Sequence, residues 1–133
     1  MMEDYITKET SKTRAAIEAI LKRLSQLSGK ATSGEIHDYV KTEMIGRLAL
    51  DVDDILQKDA FINTLVTGYG FDNDDLNKFA EVIYTMLKAD DGKDEAHNSY
   101  ATAIVKINSW LQEKGVAFSM TRNYVLEEVS RYF

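Results

Sequence analysis

The chain has 133 residues, 44% apolar and 29% charged, with a formal net charge of −6 and neither proline nor cysteine. This is the balance of a folded globular chain rather than a disordered one, and the length suits a single domain over residues 1–133. Without cysteine there is no disulfide and no thiolate metal site. No apolar run reaches the roughly 18 residues a membrane helix needs, and the acidic start Met1-Met2-Glu3-Asp4-Tyr5 is unlike a secretory signal. The expected location is cytoplasmic.

Average usage would place about six or seven prolines in a chain of this length. Proline breaks helix interiors, because it lacks the donor N–H and its ring clashes with the preceding turn. Their absence, with apolar residues recurring at i, i+3, i+4 and i+7, predicts an all-α domain of about six helices. The arrangement expected is antiparallel hairpins, as a short repeat array or a compact bundle.

The first helix should cover Glu3 to Ser28, its stripe dense only from Ile17 onward through Ile20, Leu21, Leu24 and Leu27. The polar residues 1–12 are expected to fray or project. Gly29 suits a stop, and Thr32-Ser33-Gly34-Glu35 reads as a capping box for a second helix ending near Leu50. A third segment starts at Asp51 or Asp53; its phase slips at Lys58-Asp59, so one helix or two remain open, and Gly68 and Gly70 end it. The fourth helix, capped by Asp72 or Asn73, carries the unbroken face Leu76, Phe79, Ala80, Ile83, Tyr84, Leu87. A polar turn at Ala89–Lys93 leads to a fifth from Asp94 to Lys114, with Tyr100, Ala103, Ile104, Ile107, Trp110 and Leu111 inward. Ser119 caps a sixth, with Val125, Leu126, Val129, Tyr132 and Phe133.

Charge is uneven along this order. Residues 51–95 hold twelve acids and four bases, while residues 1–30 carry a net +2. The acids fall at Asp51, Asp53, Asp54, at Asp72, Asp74, Asp75, and at Asp94, Glu95, where helices should begin. Anions there complement the helix dipole, so capping is the expected role. A surface for a basic partner or a divalent cation is the alternative.

The run Leu76-x2-Phe79-Ala80-x2-Ile83 followed by Ala96-x3-Tyr100-x2-Ala103 resembles the tetratricopeptide hairpin. That family implies helix pairs closely packed through small residues, here Ala80, Ala96 and Ala103, and a protein- or peptide-binding role. The chain departs from the pattern: Leu76 replaces Trp, the closing proline is missing, and the connection is about four residues longer. No second copy follows at the family's roughly 34-residue period. As a whole the chain is also similar to small bacterial all-helical families without an assigned activity, a resemblance that implies none.

Site chemistry is sparse. Glu35-Ile36-His37 and Glu95-Ala96-His97 put acid and histidine two apart, which on a helix points them in different directions; metal ligands want three or four. His37 and His97 are therefore expected to be largely exposed, with no metal and no cofactor bound. Counting back from Gly92 puts Leu87 at the first position of a calcium loop, and Gly29-Lys30 lacks the rest of a phosphate loop. No serine sits in a nucleophile-elbow setting, so no enzyme activity is expected. Residues 17–40 look like the first two helices of a winged helix, but an acidic cluster follows where a basic recognition helix is needed, so nucleic acid is not the expected partner. The expected function is a non-enzymatic protein- or peptide-binding or self-associating module. A ligand-binding or enzymatic helical bundle, and a winged-helix-like regulator, remain open. Tyr132 and Phe133, two aromatics at the end of an apolar face, are the candidate partner contact, a homodimer among the options.

Overall fold

The computed structural model describes residues 2–27, 29–89 and 96–115, and the side chains of 12–27, 29–89 and 99–115. The described residues form six α-helices and no strand: α1 (Met2–Leu27), α2 (Ser33–Leu48), α3 (Val52–Leu56), α4 (Phe61–Tyr69), α5 (Asn73–Ala89) and α6 (Ala96–Glu113). The all-α class follows directly. The phase slip near Lys58 is a real break: Gln57 and Lys58 donate to the carbonyls of Asp54 and Ile55, and α4 restarts at Phe61. The expected helix from Ser119 onward, and with it Tyr132 and Phe133, lies outside the described residues.

Local signals set most of the boundaries. Thr32 and Glu35 form the full capping box at the start of α2: Glu35 N–H donates to Thr32 Oγ1 at 3.2 Å, and Thr32 N–H donates to Glu35 Oε1 at 3.1 Å. Helix α2 ends at Ala49, a non-glycine residue in left-handed backbone (φ 55°), whose N–H turns back to the carbonyls of Ile45 and Met44. Helix α4 ends in the same manner at Gly70 (φ 71°). Gly68 is helical, so only Gly70 provides the break read from that pair. In both cases the next residue, Leu50 or Phe71, is driven into the core, so each left-handed turn aims one large side chain inward. Phe71 meets Phe79 edge-on, with centroids 5.6 Å apart.

Helix α5 is the centre of the fold. Its buried residues Leu76, Phe79, Val82, Ile83, Met86 and Leu87 cover an arc broader than one stripe, and α5 packs on α1, α2 and α6. Ile17, Ile20 and Leu24 of α1, Val40 and Met44 of α2, and Ile104, Ile107 and Leu111 of α6 complete one continuous core. Going up α1, Thr13 meets Tyr69, Arg14 meets Asp72 and Glu18 meets Lys78. Partner numbers rise together, so α1 and α5 run parallel, and α2 packs against both. Short α3 also touches α2 and α6.

Candidate functional site

Two polar clusters tie the helices together, and both grow from helix-start acids. At the α1–α5 seam, Asp72 and Asp75 cap each other's backbone: Asp75 N–H donates to Asp72 Oδ1 at 2.8 Å, and Asp72 N–H donates to Asp75 Oδ2 at 3.1 Å. Arg14 of α1 reaches across, with its Nη2 2.6 Å from Asp72 and its Nε 3.6 Å from Asp74 and 3.7 Å from Asp75. Thr13 Oγ1 donates to the Tyr69 carbonyl at 3.3 Å, taking up an end group of α4. One turn on, Lys78 is shared by Glu18 and Asp74.

The electrostatics follow from burial and pairing. Asp75 is wholly buried, and burial pushes its carboxyl above the usual range; the Asp72 N–H and the Arg14 charge oppose that rise, and the Asp72 charge adds to it. Asp75 Oδ1 and Arg14 Nε, both buried, have no hydrogen-bond partner. The Asp72 carboxylate holds the Arg14 guanidinium above its ordinary value. Half-buried Glu81 is raised by burial against the pull of Lys78.

The second cluster joins α2 to α3. Asp51 caps α3 by accepting from the N–H groups of Asp53 and Asp54. His37 Nε2 lies 2.8 and 3.1 Å from the two oxygens of Asp53, and Lys41 Nζ donates to Asp53 at 3.1 Å. Burial alone would raise the Asp53 carboxyl, but the bonds from His37 and Lys41 hold it below the usual range. His37 is thus not the solvated surface side chain expected: 32% of it is exposed, because its position one turn before Lys41 puts both over the first turn of α3. His97 lies in α6, its side chain outside the described residues.

Chemically, these are clamps. Asp51 is committed to backbone N–H groups, Asp72 to the Asp75 N–H and to Arg14, Asp53 and Asp74 to cations, and buried Asp75 to the Asp72 N–H. Among the described residues no three histidine or acidic side chains converge as metal ligands, and no helix is long and apolar enough to cross a membrane. The sequence pointed to the acids but not to their partners. Arg14 sits 58 positions from Asp72 and His37 sits 16 from Asp53, distances at which helix spacing carries no signal. Tyr132 and Phe133 lie outside the described residues. No known protein family matches the chain, and no curated protein or solved structure is detectably similar to it.

Proposed function

We propose that the chain is a non-enzymatic module of stacked helical hairpins that binds a protein or peptide or associates with itself. One observation carries the reading: α5 packs on both helices of the α1–α2 pair as well as on α6, with α1 and α5 parallel. This is the order in which consecutive hairpins stack in helical-repeat proteins, where binding uses the extended surface the stack creates. The clamps Arg14–Asp72 and His37–Asp53 support it, since they fix one hairpin against the next element and hold such a surface in shape. The tetratricopeptide-like spacing at 76–103 agrees in kind, although α3 and α4 separate the two pairs.

Tyr132 and Phe133 are the proposed partner contact. Light scattering on the full chain and on a variant lacking both residues tests this. We expect a mass above the monomer at high concentration that falls on deletion. A wild-type chain monomeric throughout removes self-association, and a deletion that unfolds a monomer makes these aromatics core residues.

A further inference from the structure

We propose that the groove between the α3–α4 junction and α6 binds a small amphipathic carboxylate, an apolar body carrying one negative charge. The groove has a volume of about 330 Å³. That is at the low end for ligand sites, which run from about 300 to 1,000 Å³, and suits a free small molecule rather than a helix or several residues of extended chain. Its floor is the nearly buried Phe61 and Ala103, with partly exposed Leu56 beside them as the accessible apolar surface. Around Ala103 on α6, Ser99, Thr102 and Lys106 follow one another at i, i+3 and i+7, so one stripe of the helix lines the groove with two hydroxyls and an ammonium. Gln57 adds an amide at the junction.

Charge decides the class of occupant. Among the described residues that line it none is acidic, although residues 51–95 carry a net charge of −8. Lys106 is exposed and in no ion pair with a described residue, whereas Lys58, at the same junction, is taken by Asp54. Lysine can lay its aliphatic stem along an apolar wall while its ammonium stays hydrated and free to pair. A small apolar surface, hydroxyl donors and one cation that pairs with no described residue together complement a single carboxylate joined to a ring or short chain. This inference does not depend on the protein-binding reading.

The test is an amide-shift titration of the full chain with phenylacetate, with neutral 2-phenylethanol and ring-free acetate as comparisons. Phenylacetate should saturate at roughly millimolar concentration, as expected for so small a ligand, and move the amides of Leu56, Gln57, Thr102, Ala103 and Lys106 together. 2-Phenylethanol should bind about two- to five-fold more weakly, the range set by one partly exposed ion pair. Lys106→Gln should remove that preference while leaving 2-phenylethanol binding and the melting temperature unchanged, and Ser99→Trp, which fills the groove, should abolish both. The proposal is overturned if the groove amides do not move saturably, if acetate reproduces the phenylacetate shifts, or if Lys106→Gln retains the preference for the acid.

Discussion

Replacing Ile83 by alanine probes the packing of α5 at its most enclosed point. Ile83 has no exposed surface and lies between Phe79 and Leu87 on the buried arc. The substitution removes three carbons, worth about 2.4 kcal/mol of transfer free energy at ~0.8 each. A cavity that does not fully collapse adds up to about 2 kcal/mol, and the better helix propensity of alanine returns ~0.4. The expected loss is therefore about 2–4 kcal/mol, a large share of the roughly 5–15 kcal/mol typical of a domain. Urea unfolding followed by far-UV circular dichroism should show the midpoint falling by about 1–2 M with an unchanged slope. Val105→Ala, at a position 38% exposed on α6, serves as the control and should cost less than about 1 kcal/mol. A loss for Ile83→Ala no larger than the control would place α5 outside the core and refute the packing described.

Four further outcomes follow from particular contacts. Ala49→Gly should stabilise the protein by about 0.5–1 kcal/mol, since glycine relieves the left-handed backbone at that position; a loss in the same urea assay would contradict this. Thr32→Ala removes the capping box of α2 and should cost about 1 kcal/mol, with a cost near zero counting against it. Because burial raises the folded-state carboxyl of Asp75, its ionisation opposes folding: the stability it contributes is present at low pH and lost as pH rises through the folded value. The stability of Asp75→Asn relative to wild type should therefore improve as pH rises above the ordinary carboxylate value of 3.8, and a trend in the opposite direction would refute the assignment. Arg14→Gln should speed amide exchange at Asp75 and Leu76 in the first turn of α5 without affecting α2, and a uniform change over the chain would deny the seam its local role.

Periodicity made the helices legible because it is a local property. The stripe from Leu76 to Leu87, the Thr32–Glu35 box and the acids before α3 and α5 all act within one turn of the residues that carry them. Ala49 shows where local reading stops: alanine is a strong helix former, yet here it ends α2 in left-handed backbone, with the closing hydrogen bonds to Ile45 and Met44 formed and Leu50 in the core. The split of α3 from α4 announced itself as a phase slip, and its result is tertiary: Val52 and Ile55 before it and Phe61, Ile62 and Leu65 after it all reach the core. The clamps were the least legible part. Arg14 lies before the dense stripe that starts at Ile17, and nothing near it in sequence reveals the N-terminus of α5 that it holds. His37 likewise read as solvated because its partner, Asp53, belongs to another helix.

The function proposed for this all-α domain is recognition of a macromolecule. Its most direct test is calorimetric titration of the purified full chain with a purified protein first captured by it from the cells that naturally express it, with self-titration by dilution alongside. The expected result is a saturable one-site isotherm with the partner, or a heat of dissociation for the chain alone, that weakens when Tyr132 and Phe133 are removed. A chain that shows no heat with any captured protein and none on dilution, yet turns over a small molecule, would contradict it.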